Sequence, residues 1–274
     1  MRRIAHISDL HFGRLSPDVL GPLRDSILAQ RPDLLVVSGD LTQRARAHQF
    51  RQARAFLDTL ALPRIVVPGN HDVPLDNLLA RWLWPLHGYR THVEPELVPF
   101  HCDGEMAVVG LSTARSLTIK GGRLNGRQVE QACARLQQNP QVGLRILVTH
   151  HPFDVIAPHQ ENDIVGRAAM AMEAFARCGV DLILAGHLHN SHIAHGMARY
   201  GAHNRVLLVQ AGTATSARQR GETNAWNLLT LTRDRVEVTV MAASPGGVFL
   251  PEAGRSFLRQ DGGWAAPAAA AGRI

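Results

Sequence analysis

Residues 65–74 read I-V-V-P-G-N-H-D-V-P. A short apolar run stops at Pro68-Gly69, and an amide, an imidazole and a carboxylate follow side by side: Asn70, His71 and Asp72. Strands buried on both faces read as unbroken apolar runs and end at turn residues of this kind. The pattern occurs twice upstream. D-L-L-V-V-S-G-D (33–40) stops at Gly39-Asp40, and the run at 3–8 stops at Asp9-Leu10-His11. Two helical periods lie between these runs. Val19, Leu20, Leu23, Ile27 and Leu28 share a face over 17–31, behind a Ser16-Pro17 start. Phe50, Ala53, Phe56, Leu57 and Leu60 share a face over 45–60. Strand–helix–strand–helix–strand is the order of a parallel sheet with crossover helices.

Further along, 97–101 and 105–112 predict a hairpin around Asp103-Gly104, and 126–138 a helix capped by Asn125. L-R-I-L-V-T-H-H-P (144–152) and D-L-I-L-A-G-H-L-H (181–189) predict two more buried strands, with a helix over 165–178 stopped by Gly179. Segments 192–198, 204–211, 225–232 and 235–242 alternate like antiparallel strands. Residues 76–90, with Trp82 and Trp84, read as a short helix capping the sheet. These signals predict a single domain over 1–250 and a C-terminal extension over 251–274. The extension is low in complexity toward its end and is expected to be partly disordered.

Composition narrows the function classes. Of 274 residues, 45% are hydrophobic and 19% charged, as in a globular enzyme. No apolar run reaches the roughly 18 residues of a membrane span. The N-terminus enters a strand pattern at once and leaves no room for the apolar region of a signal peptide, so the expected location is the cytoplasm. Cys102, Cys133 and Cys178 are scattered and odd in number, which predicts reduced thiols rather than a disulfide framework. The formal charge is +6, carried almost wholly by Arg; Lys120 is the only Lys. Such a field favours an anionic substrate, and the spread of the Arg residues argues against a nucleic-acid partner. An apolar hairpin or the late strands could pair chains into a homo-oligomer.

Five apolar runs thus end in metal-capable residues: Asp9-x-His11, Gly39-Asp40, Gly69-Asn70-His71-Asp72, His150-His151-Pro152 and Gly186-His187-x-His189. In parallel α/β sheets, ligands bind beyond the carboxyl ends of the strands. The mixture of imidazole, carboxylate and amide, without thiolate, suits Mn, Fe or Zn. One ion needs three or four such groups. The chain offers at least seven, which points to two ions sharing a carboxylate bridge, with Asp40 as the candidate. The glycines before Asp40, Asn70 and His187 would let the backbone approach a bound ion or phosphate.

The series D-x-H, G-D, G-N-H-D, H-H-P and G-H-L-H, in this order, resembles the calcineurin-like metallophosphoesterase superfamily over about residues 3–242. G-N-H-D-V-P and A-G-T-A-T-S-A-R-Q-R-G-E-T-N (211–224) are similar to the bacterial class III cyclic nucleotide phosphodiesterase branch. The resemblance implies a four-layer α/β/β/α sandwich of mixed sheets flanked by helices. It implies two transition-metal ions (Mn, Fe or Zn), one on Asp9, His11, Asp40 and His189, the other on Asp40, Asn70, His150 and His187. His71 would face the substrate phosphate and aid the leaving group, and Asp72 would fix its tautomer by a hydrogen bond. The family pattern selects His150 over His151, which is left near the substrate; Arg218 and Arg220 are candidates to meet a phosphate. The implied reaction is hydrolysis of a small-molecule phosphodiester by a metal-bridging hydroxide, with 3′,5′-cyclic AMP the best candidate. A glycerophosphodiester or lipid headgroup is the alternative substrate, and an inactive metal-binding scaffold the alternative class.

Overall fold

The structure is a computed structural model, in which residues 1–215, 223–252 and 254–267 are described. In chain order its first half comprises β1 (Arg2–Ile7), α1 (Leu20–Ala29), β2 (Leu34–Ser38), α2 (Ala47–Asp58), β3 (Arg64–Val67), α3 (Leu78–Leu83), α4 (His87–His92), β4 (Phe100–Cys102), β5 (Met106–Gly110) and α5 (Gly126–Gln137). There follow β6 (Leu144–Val148), α6 (Ala168–Arg177), β7 (Leu182–Ala185), β8 (His192–His195), α7 (Gly196–Tyr200), β9 (Leu207–Gln210), β10 (Ala225–Thr232), β11 (Arg235–Ala243), β12 (Phe249–Pro251), β13 (Arg255–Gln260) and β14 (Gly263–Ala265).

The three opening runs form parallel neighbours β1, β2 and β3. Antiparallel strands extend their sheet on the far side of β1, giving the order β14-β13-β11-β10-β1-β2-β3, with β12 also on β11. The second sheet runs β4-β5-β6-β7-β9-β8, parallel from β5 to β9 and antiparallel at both edges.

Alternation along the strands stacks the layers. Leu34 and Val36 of β2 join Val108, Ile146 and Leu184 of the other sheet in a core between the sheets. Leu35 and Val37 point the other way, onto Leu23 and Ile27 of α1 and Phe50 and Leu57 of α2. Val109, Leu147 and Ile183 likewise pack on Val129 and Leu136 of α5 and Phe175 of α6. Each central strand is therefore covered on both faces, which is why its sequence is apolar without a break. This is the four-layer α/β/β/α sandwich. Asn125 caps α5 as predicted, accepting from the Gln128 N–H at 3.0 Å.

Several expectations change. β9 lies parallel to β7, from Leu182↔Leu207 to Ala185↔Gln210, although its alternation reads as antiparallel. Alternation fixes the buried face of a strand, not its direction; the crossover through β8 and α7 sets that. The strand expected over 192–198 stops at His195, where α7 begins. Two strands lie within the expected extension over 251–274, β13 (Arg255–Gln260) and β14 (Gly263–Ala265). β13 and β14 add to the first sheet, burying Phe257 and Trp264 in the core between the sheets, and Arg259 pairs with Asp181 at 2.8 Å. Residues 268–274 lie outside the described residues. Cys133 and Cys178 are not free thiols: they form a disulfide, Cα–Cα 5.6 Å, between α5 and the residue after α6. The two lie 45 residues apart in the chain, and only the packing of α5 on α6 brings them together. Among the described residues, no helix is long and apolar enough to cross a membrane.

Leu184 is fully buried on β7 in the core between the sheets. Leu184→Ala is expected to cost about 2–5 kcal/mol, since both flanking sheets resist collapse into the void. Urea unfolding should show a lowered midpoint at an unchanged slope.

Candidate metal centre

The parallel strands of both sheets end at one rim. Asp9 and His11 follow β1, Asp40 follows β2, Asn70 and His71 follow β3, His150 follows β6, and His187 and His189 follow β7. Backbone bonds tie these loops together. The Asp9 N–H donates to the Gly39 carbonyl at 3.1 Å, His11 N–H to Asp40 at 2.9 Å, and Gly186 N–H to His150 at 3.0 Å. The turns are sharp: Asp9, His11, Asp40, His187 and His189 all have left-handed φ, between 44° and 77°. Such a conformation costs a residue other than Gly on the order of 1–3 kcal/mol and persists where the surroundings over-determine it.

Asp40 stands at the centre, with its two oxygens facing different groups. Oδ2 is 3.9 Å from His11 Nε2, and Oδ1 is 3.4 Å from His150 Nε2. On the His11 side, Asp9 Oδ1 lies 3.6 Å from His11 Nε2 and 3.3 Å from His189 Nε2, and these two nitrogens are 3.4 Å apart. On the other side, His150 Nε2 lies 3.1 Å from Asn70 Oδ1 and 3.3 Å from His187 Nδ1. The sequence-predicted ligand set is thus brought together as two groups that share Asp40.

These atoms fit cations better than they fit one another. His150 Nδ1 is 2.7 Å from the Ser38 carbonyl, so its N–H donates there and Nε2 presents a lone pair to the oxygens of Asp40 and Asn70. Asp9 Oδ2 accepts from the Ser8 hydroxyl at 2.6 Å and the His187 N–H at 3.1 Å. Its Oδ1 is buried with no hydrogen-bond partner among the described residues. Lone pairs converging at such distances require a proton or a metal ion between them. The titration behaviour agrees. Burial works against the His150 imidazolium, yet the charge of Asp40 outweighs it and raises His150 to about 9. His187, pushed down by burial and by His150, falls to about 4. The proton that this field draws onto His150 is what a cation would replace.

His71 lines the cavity above the two groups, a space of about 440 Å³. Its Nδ1 lies 3.0 Å from the Gln43 carbonyl, not against Asp72. The expected Asp72–His71 hydrogen bond is therefore replaced. Asp72 accepts from the backbone N–H groups of Leu41, Thr42 and Gly69 and from the Thr42 hydroxyl, at 2.9–3.1 Å. The 3-10 turn Asn70–Asp72 aims these adjacent side chains apart, so Asp72 lashes the loops after β2 and β3 beneath the rim. Burial and the nearby Asp40 charge lift its carboxyl to about 6. His151 also moves from its expected place. It is fully buried, with Nδ1 2.8 Å from Thr113 Oγ1 and Nε2 2.6 Å from the Lys120 carbonyl, so no ring nitrogen is left for a substrate. Arg218 and Arg220 lie outside the described residues.

The sequence reading missed several groups around the cavity, among them Arg14, Gln43, Lys120 and Asp163. Asp163 Oδ1 is 3.7 Å from His187 Nε2, behind the ring whose Nδ1 faces His150. None of these ends a strand. The solitary Lys was the one available signal. The role expected of the glycines also shifts: a Cβ on Gly69 would lie 2.1 Å from Asp40 Oδ1, so the missing side chain makes room for the bridging carboxylate itself.

Comparison with known proteins adds the following. The family model described as calcineurin-like phosphoesterase matches residues 2–191. A glycerophosphodiester phosphodiesterase, GpdQ, of Enterobacter lignolyticus is 37% identical over 82 residues, 25% of this chain and 29% of that protein. The match therefore spans less than a third of that relative's length. A protein of Synechococcus named as a probable cyclic nucleotide phosphodiesterase is 28% identical over 207 residues, 69% of this chain and 74% of that one. Among solved structures, purple acid phosphatase from yellow lupin (Lupinus luteus) seeds superposes with a TM-score of 0.70 at 14% identity, covering 95% of this chain and 54% of that chain. At that identity the likeness is one of fold.

Gly69→Ala is expected to displace Asp40 and weaken Mn²⁺ binding by about 10–100-fold, the usual scale for disturbing the support of a metal ligand. Titration calorimetry with Mn²⁺ checks this. Tight binding in the variant would show that Gly69 does not make room for Asp40 as a ligand.

Proposed function

The chain belongs to the calcineurin-like phosphoesterase family of metal-dependent hydrolases, and on that premise we propose that it hydrolyses a small phosphodiester, with 3′,5′-cyclic AMP the first candidate. The observation that carries this reading is the division of Asp40 between two sets of ligand-type atoms under a cavity lined by His71. Asp9, His11, Asp40 and His189 would hold one ion, and Asp40, Asn70, His150 and His187 the other. Two ions held there supply Lewis acidity toward the phosphoryl oxygens and a water acidic enough to attack at neutral pH.

The protein's own groups do the rest. Arg14 and Lys120 place positive charge around the cavity, which attracts an anionic diester and orients it. The Gln43 carbonyl fixes His71 through Nδ1, which leaves Nε2 to serve the departing oxygen. Burial lowers the His71 pKa, which makes its imidazolium a stronger acid toward the departing oxygen but scarcer at neutral pH, so activity that needs it should fall as pH rises. Asp72 acts at one remove, by holding the loop that carries His71. An intact His71 facing the cavity favours an enzyme over an inactive scaffold.

A second substrate reading rests on the match to the glycerophosphodiester phosphodiesterase, which is the higher in identity though short. One assay separates the two. Mn²⁺-loaded protein is given 3′,5′-cyclic AMP, glycerophosphoethanolamine and, as a generic diester, bis(p-nitrophenyl) phosphate. Cleavage of cyclic AMP well above glycerophosphoethanolamine is expected, and the reverse order transfers the assignment. His71→Ala should lower turnover by about 10²–10⁴, the usual scale of general acid–base catalysis. A metal-loaded protein that cleaves none of the three would overturn the reading.

A further inference from the structure

The Trp segment expected to cap the sheet does not do so. Leu78, Leu79, Trp82, Leu83 and Trp84, on and just after α3, are between 45% and 76% exposed. Leu117 and Ile119, on the loop after β5, are exposed to 71% and 62%. Arg81 joins the two segments. Itself buried, it donates from Nε to the Ser116 carbonyl at 2.7 Å, from Nη1 to Pro74 at 2.9 Å and from Nη2 to Thr118. A guanidinium spent on backbone carbonyls thus fixes the inner side of a face whose outer side is apolar. Contiguous exposed apolar surface of this kind marks a contact with something else.

The charge around it identifies what. From Ser112 to Val129 the chain carries Arg115, Lys120, Arg123 and Arg127 and no carboxylate. Across the patch, from Pro74 to Trp84, the one carboxylate is Asp76, which pairs with Arg46 at 3.6 Å. The loop that carries Leu117 and Ile119 is thus cationic along the chain on both sides of its apolar residues. We propose that this face docks on an anionic lipid surface: the indoles lie at the headgroup boundary, the leucines and Ile119 enter the acyl region, and the basic loop meets lipid phosphates. A second copy fits less well, because pairing the face with itself brings two cationic loops together. Lys120 also lines the cavity, so docking sets the cavity mouth at headgroup level. That consequence for catalysis rests on the proposed diesterase activity, whereas the docking does not.

The test is sedimentation of the full chain with vesicles of phosphatidylcholine alone or with 30% phosphatidylglycerol (about one lipid in three), the anionic lipid raising local cation concentration. Binding to the anionic vesicles is expected to exceed that to the neutral ones by about tenfold, and to weaken in high salt. Trp226 and Trp264 are buried, so a blue shift of Trp emission on binding reports Trp82 and Trp84. The double variant W82A/W84A should lose binding about tenfold and lose the shift, since its apolar anchors are gone. Retained cleavage of bis(p-nitrophenyl) phosphate, or an unchanged circular dichroism spectrum if the protein proves inactive, shows that the variant is folded. Absence of vesicle binding, or equal binding by the variant, overturns the proposal. So does concentration-dependent dimerisation that the variant abolishes without any vesicle binding, which would make the face a self-association surface.

Discussion

One buried carboxylate sets the terms for the rest of the structure. Asp40 is almost inaccessible to water, and taking an ion into such a place costs several kcal/mol unless its charge is answered. The answer comes from both halves of the chain. The His71 N–H donates to Oδ1 at 2.9 Å, His150 approaches the same oxygen from the second sheet, and His11 faces the other. Nothing in one sheet alone could hold this carboxylate in register. The two sheets have to pack face to face, and the core between them exists to fix that alignment.

The same constraint explains where the molecule is strained. Five residues of the rim adopt left-handed φ without being glycine, and all five carry candidate ligand atoms. Gly69 lacks a side chain where Asp40 needs room, and Asp72 gives up contact with its neighbour His71 to tie two loops with four hydrogen bonds. Stability gained in the apolar layers offsets strain and buried polarity at the rim. His151, next to a candidate ligand yet fully engaged with Thr113 and Lys120, shows how much of the polar chemistry here is support.

Arg81 offers a second case of a buried charge that shapes a surface. Its side chain is consumed by carbonyls of residues 74, 116 and 118, which tie α3 to the loop after β5. Trp82 and Trp84 were expected to cap the sheet because aromatic residues near a core usually bury. Here the core position on that turn is taken by an arginine, and the aromatics are turned outward.

The sequence by itself determined the α/β character and the identity of the rim. Short unbroken apolar runs such as 34–37, bounded by turn residues, read as strands covered on both sides, and the chemistry of the residues that end them names the candidate ligands. Which ligands meet, and how, was decided by the tertiary structure. The sharing of Asp40, the turn of Asp72 away from His71, the parallel direction of β9, the Cys133–Cys178 bond, the pairing of β13 with β11, and the approach of Asp163 to His187 all join residues far apart in the chain or set the direction of a side chain at a turn. Periodicity records which face of an element is buried. It carries no information on what that face, or the loop beyond it, is buried against, because that depends on packing between segments that the chain order does not specify.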